Sequence, residues 1–306
     1  MGDVAQSCPW DVAAACHWPR VAHPLRRHNE NQLARRPCPS VASKTPLSLE
    51  ALQLQLRKYQ AKMHPSTLQV REGMASSAEL ESWLQVAETF AGEAHTICEI
   101  GLNGGDSAAA WLCAFPRASY VSFDLARFNV TTDAADFLSV AFPGRFTLIR
   151  GSTLATLPQY ARAHPRSCDI MIVDGGHSLE VGYGDLSYMR MLASDPSRHI
   201  VVMDDVRCAA SWCKAPTDAW SYLVQEGVVR EEGCLVDSCC SGWCWGRYDL
   251  TAPQPDASGI CGPPGIESHR NTSRFMRRFV PRCRASASRK FPNSSSIHIA
   301  KPPTLR

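Results

Sequence analysis

Between residues 96 and 250 the chain alternates short apolar runs with longer segments whose apolar residues recur every three or four positions. The first pattern suits strands and the second amphipathic helices. It predicts strands over Thr96–Ile100, Tyr120–Asp124, Arg145–Arg150, Asp169–Asp174, Ile200–Asp204, Val228–Val236 and Trp243–Leu250. It predicts helices over Ser107–Phe115, Thr132–Phe142, Thr153–His164, Leu179–Leu192 and Thr217–Glu226. Two further helical stretches precede them, Leu47–Lys62 and Ser77–Gly92, the second with Leu80, Trp83, Leu84, Ala87 and Phe90 on one face. Ile170-Met-Ile-Val and Ile200-Val-Val-Met are almost wholly apolar, as central strands covered on both faces must be. Five strand–helix units followed by two adjacent strands predict an α/β fold: a doubly wound, mostly parallel sheet. The last two strands are expected as an antiparallel pair at one edge.

In such sheets ligands bind outside the carboxyl ends of the strands. Five consecutive ends here are Glu99, Asp124, Gly151-Ser152, Asp174 and Asp204-Asp205. The first strand runs into a turn with Gly101, Gly104 and Gly105 that opens a helix, an arrangement suited to close backbone approach by a charged small molecule. Asp124 stands nineteen residues past Gly105, where a carboxylate accepts bonds from the hydroxyls of a ribose. The turn's register does not fit G-x-G-x-x-G, and Glu99 at its mouth would repel a diphosphate. S-adenosylmethionine carries a sulfonium and an ammonium and no phosphate, so on charge it fits better than a nicotinamide dinucleotide. Ser152 and Asp106 also read as helix caps.

Charge divides the chain into three parts. Residues 1–70 carry nine Lys/Arg against four Asp/Glu, and residues 251–306 carry ten against two. The central 71–250 holds 13 basic and 23 acidic residues, which argues against nucleic acid as a partner of the core. The expected organisation is a basic N-terminal extension (1–70, partly disordered or targeting), a folded domain (71–250) and a basic tail rich in Pro, Ser and Arg (251–306, disordered). No window reaches the length of a membrane span, and the start lacks a signal-peptide core. A cytoplasmic location is expected, with the arginines from Arg20 to Arg36 leaving organelle targeting open. The sequons at Asn271 and Asn293 matter only in a secreted chain. Of fourteen cysteines, Cys98, Cys113 and Cys168 fall in predicted elements and read as buried thiols. Cys208, Cys213, Cys234, Cys239, Cys240 and Cys244 crowd the end of the domain; free thiols, disulfides and metal ligation all stay open for them.

The run Glu99-Ile-Gly-Leu-Asn-Gly-Gly-Asp-Ser, then Val121-Ser-Phe-Asp, Phe142-Pro-Gly-Arg-Phe, Asp169-Ile-Met-Ile-Val-Asp-Gly-Gly-His-Ser and Val201-Val-Met-Asp-Asp-Val resembles the class I S-adenosylmethionine-dependent methyltransferases, and within them methyltransferase domain family 24. The resemblance covers about residues 75 to 250. It implies a Rossmann-like sheet of seven strands with an antiparallel last strand. It implies that Glu99, Gly101 and Gly105 line the methionine part of the cofactor, that Asp124 holds the ribose, and that Gly151 and Ser152 sit near the adenine. Asp174 would meet the cofactor's amino end or a metal.

The arrangement is also similar to the catechol-type metal-dependent O-methyltransferases, which implies a Mg2+ site of Asp174, Asp204 and Asp205. Where those enzymes place a lysine base, this chain has His177, whose ordinary pKa suits proton removal near neutrality. The expected function is methyl transfer to an oxygen of a small-molecule acceptor, with His177 as base and Asp174 orienting it or binding a metal. The competing readings are a non-catalytic binding protein of the same fold and an NAD-dependent oxidoreductase. A hydrolase lacks its G-x-S-x-G elbow. Oligomeric state is not legible.

Overall fold

Side chains alternate along each central strand, and that alternation decides which helices cover which face. The computed structural model describes residues 34–38, 47–64, 77–90, 93–238 and 241–254. Two short strands, β1 (Pro37–Cys38) and β2 (Leu47–Ser48), pair antiparallel ahead of helix α1 (Leu49–Met63) and helix α2 (Ser77–Phe90). Strand and helix then alternate: β3 (Thr96–Ile100), α3 (Asp106–Ala114), β4 (Ser119–Asp124), α4 (Asn129–Ala141), β5 (Phe146–Arg150), α5 (Thr153–Ala163), β6 (Ile170–Val173), α6 (Leu179–Leu192), β7 (Ile200–Met203), α7 (Lys214–Gln225), β8 (Val229–Ser238) and β9 (Ser241–Tyr248).

The large sheet has the order β5-β4-β3-β6-β7-β9-β8. The neighbours from β5 through β7 pair in parallel, and β9 runs antiparallel to both β7 and β8. The predicted seven-strand, doubly wound sheet is therefore present, with its reversed strand β9 inside and β8 at the edge. Ile97, Ile170, Ile172 and Val202 face one side, where they pack with Leu52, Trp83, Trp111 and Leu138 of α1 to α4. Cys98, Ile100, Met171, Val173 and Val201 face the other, against α5, α6 and α7 through Leu157, Leu186 and Leu223. Burying a large aliphatic side chain contributes about 1.5–3 kcal/mol, so both layers are held by many such contacts.

Helix α1 lies before residue 71, where the sequence suggests the domain starts, yet Leu49, Leu52 and Leu56 belong to the core. Ser48 caps it, its hydroxyl accepting from the Ala51 N–H. The tail's sequons and residues 255–306 fall outside the described residues, and none of the described helices is long and apolar enough to cross a membrane.

The cysteines correct the sequence reading. Cys98 bonds Cys168 and Cys113 bonds Cys38; Cys208–Cys213 and Cys234–Cys244 are bonded as well. The expected buried thiols are half-cystines, because tertiary neighbours bring them together. Cys234 and Cys244 face each other in the β8–β9 register, and Cys98 lies on a strand beside the chain that enters β6. Cys239 and Cys240 lie outside the described residues.

Candidate active site

The carboxyl ends of β3 to β7 open on one crevice of about 510 Å³. That is within the ordinary range for a small-molecule site. Gly101 follows β3 with φ +94°, and a Cβ there would lie 1.8 Å from the Asp174 carbonyl oxygen. No side chain fits, so the backbones of the two strand ends lie in direct contact. Gly105, at φ +81°, stands where α3 begins, and its missing Cβ makes room for Ala134 of α4. Between them Asn103 is also left-handed, at φ 45°.

Asp124 is fixed by the backbone. Its Oδ2 accepts from the Asn103 N–H at 3.2 Å and its Oδ1 from the Ala126 N–H at 2.6 Å. An ionised carboxylate has lone pairs for further donors, so two hydroxyls can still be accepted. Ser152 and Asp174 line the same crevice. Gly151 forms the bend at the end of β5 with φ +133°, one residue away from that lining.

Glu99 is placed differently from the reading that set it at the mouth of the turn. It is 1% exposed and does not line the crevice. Its side chain turns inward, where Ser107 Oγ donates to Oε1 at 2.6 Å and Ser122 Oγ to Oε2 at 3.2 Å. Burial pushes its pKa up to about 7, against these lowering bonds. Glu99 therefore ties β3, β4 and the start of α3 together beneath the turn.

The opposite wall is acidic. Asp174 and Asp205 line it, and Asp204, outside that lining, stands with them so that the three bring one oxygen each within 4.8 Å of one another. Burial pushes the carboxyls of Asp174 and Asp204 well up, and the neighbouring acids push them further. Glu79 of α2 is one of those neighbours; Ser241 Oγ donates to its Oε1 at 2.7 Å. His177 Nε2 meets Asp205 Oδ2 at 2.9 Å, so an acid that the sequence reading assigned to the metal alone stands against the imidazole.

Asp205 and Arg207 are both left-handed, at φ 56° and 62°. Non-glycine residues hold that conformation only where the surroundings impose it. Here the Val206 N–H donates to the Gly242 carbonyl, the Arg207 N–H donates to Thr217 Oγ1, the Arg207 guanidinium binds Glu231, and Cys208–Cys213 closes the loop.

Sequence reasoning missed several lining residues. Leu125 and Phe128 follow Asp124 and are about half exposed at the crevice rim; two apolar residues in a loop straight after the acid were the available signal. Asp185 of α6 lies in the wall, 1% exposed. Neither of its oxygens has a hydrogen-bond partner of normal geometry among the described residues. Burial pushes its pKa up to about 7, although the nearby Thr153 hydroxyl lowers it. Its position in the helical repeat gave no sign of this.

The methyltransferase domain family matches residues 98–206, the span from β3 to the loop after β7. Among solved structures, the SAH-bound methyltransferase PaMTH1 of Podospora anserina is similar at 17% identity and TM-score 0.50, over 65% of this chain and 88% of that one. An O-methyltransferase from Bacillus cereus in complex with SAH is similar at 14% identity and TM-score 0.52, over 65% and 90%. The O-methyltransferase TomG of Streptomyces achromogenes is similar at 18% identity and TM-score 0.50, over 64% and 89%. No curated protein matches the chain. Residues 98–206 thus match the methyltransferase domain family, and the sheet that surrounds them has the fold of the SAH-bound methyltransferases it resembles.

Proposed function

We propose that the chain methylates an oxygen of a small-molecule acceptor, with His177 as the base and Asp205 as the residue that orients it. The observation that carries this is the pairing, across one crevice, of a glycine turn and Asp124 on one wall with His177–Asp205 on the other. Gly101 and the carboxylate of Asp124, both in the crevice lining, suit the amino-acid and ribose parts of S-adenosylmethionine, and Ser152 of the same lining is assigned to the adenine. Bound there, the cofactor supplies an electrophilic methyl group on sulfur.

The protein's part is alignment, exclusion of water and removal of one proton. A hydroxyl loses its proton as it attacks, and a neutral imidazole accepts it near neutral pH. Asp205 accepting from Nε2–H fixes the tautomer with the basic lone pair on Nδ1 and stabilises the imidazolium that forms. The similar structures that are named O-methyltransferases agree with an oxygen acceptor.

A divalent cation also suits this wall. Three carboxylates this close repel one another, and an all-oxygen donor set suits magnesium. Asp174, Asp204 and Asp205 would hold it, and it would lower the pKa of the acceptor hydroxyl.

The test is calorimetry with S-adenosylmethionine and S-adenosylhomocysteine, followed by transfer of labelled methyl to a panel of phenolic and aliphatic hydroxyl compounds, with and without Mg2+. Binding with transfer to oxygen is expected. Binding with no transfer to any acceptor would favour a non-catalytic protein of this fold, and transfer to nitrogen alone would overturn the oxygen assignment.

A further inference from the structure

We propose that Gln60 is a positioning residue for the cofactor, and that α1 belongs to the cofactor site although it precedes the family-matched region. This rests on the cofactor reading above and deepens it. Gln53, Arg57 and Gln60 share one face of α1, the spacing that stacks side chains along a helix. All three bond to the segment that begins α3. Gln60 Nε2 donates to the Gly104 carbonyl at 3.0 Å and to the Val130 carbonyl at 3.3 Å, and the residue is 1% exposed. Gln53 Nε2 donates to the Asp106 carbonyl at 3.2 Å, and the Arg57 guanidinium meets the Asp106 carboxylate at 3.1 Å. Leu56 lies against Gly105, within 3.6 Å of where a Cβ would stand.

The turn needs this support. Gly101 and Gly105 take positive φ at little cost, with Asn103 left-handed between them, so this flexible turn is held in place by contacts from outside it. Gln60 bonds the turn and α4 at once, so it fixes the distance between them. Without its amide, two buried carbonyls lose a donor. Asp124 takes one bond from the turn, the Asn103 N–H at 3.2 Å, but its shorter one, from the Ala126 N–H at 2.6 Å, comes from its own loop and does not depend on the turn. Loosening the turn should therefore weaken the grip on the amino-acid end of the cofactor far more than the grip on its nucleoside.

The experiment compares two ligands in calorimetry. S-adenosylhomocysteine carries the amino-acid end; 5′-methylthioadenosine keeps the nucleoside and lacks that end. For Gln60→Met the dissociation constant of S-adenosylhomocysteine should rise ~10-fold or more, while that of methylthioadenosine stays within about 2-fold. Arg57→Met, at a half-exposed position with little risk to folding, should shift the same ratio by about 3-fold. Leu52→Ala removes core packing from α1 and leaves Gln53, Arg57 and Gln60 in place; it should lower Tm and leave the ligand ratio unchanged. Equal weakening of both ligands by Gln60→Met, no change in either, or a ratio shift in Leu52→Ala as large as that in Gln60→Met would each overturn the proposal. Wild-type protein that binds neither ligand would instead overturn the cofactor reading, and this proposal with it.

Discussion

On the wall formed by the glycine turn, the polar groups are met by partners that the protein supplies. Gln60 holds Gly104, the backbone holds Asp124, and serines hold Glu99 beneath. On the facing wall Asp174, Asp204 and Asp205 stand within 4.8 Å of one another, with Glu79 close by, and burial and mutual repulsion both oppose their charge. The first wall is held in place before any ligand arrives, as the proposed cofactor site requires. The second stores unfavourable electrostatics that a cation, a proton or an imidazolium would relieve. Shape is thus set on one side and charge is left unbalanced on the other, which is how a site binds one molecule and acts on another.

The largest expected effect comes from the acidic wall. His177→Ala should lower labelled-methyl transfer by about 10²–10⁴-fold, the usual share of a general base, with affinity for S-adenosylhomocysteine unchanged. An unaltered rate would remove His177 from the chemistry and leave the imbalance of that wall without this use.

Asp185 tests the imbalance through stability. Its folded pKa, about 7, lies above the ordinary value 3.8. The folded state holds that proton more tightly, so the residue's contribution falls as pH climbs from about 4 to about 7 and stays low above that. Asp185→Asn should therefore stabilise the protein by about 2–4 kcal/mol at pH 8 and much less at pH 4. Urea unfolding at both pH values measures this, and an equal change at the two would show that the carboxyl is not strained by its charge.

Asp124→Ala sharpens the account of the satisfied wall. Loss of the carboxylate proposed to bond the ribose hydroxyls should weaken S-adenosylhomocysteine binding about 10–100-fold. No loss would place the ribose elsewhere. The smallest effect is expected from Mg2+ alone. It should raise Tm by a few degrees, the scale of a ligand held well above its dissociation constant, and Asp204→Asn should abolish the rise. A rise that persists in the variant would move the metal off this wall.

Much of the fold was legible because apolar periodicity reports burial directly. Ile170–Val173 and Ile200–Met203 had to be central strands, since both of their faces are apolar, and α6 begins and ends where its pattern does. The strand-end acids were legible for a related reason: a carboxylate straight after an apolar strand lands at the sheet's carboxyl edge. Glu99 shows the limit of that rule. It sits inside β3, one residue before the strand ends, so alternation turned it inward toward Ser122, its partner across the β3–β4 register.

The amino-acid sequence by itself determined the order of elements, the direction of the parallel strands and the gathering of Asp124, Asp174, Asp204 and Asp205 at one edge, because these follow from local periodicity and chain connectivity. Only the tertiary structure decided which acid meets His177, which cysteines pair, that Glu99 is sealed from the crevice and that α1 grips the glycine turn. Each of those is a contact between residues distant in sequence, and its existence depends on how helices and loops settle on the sheet to within an ångström.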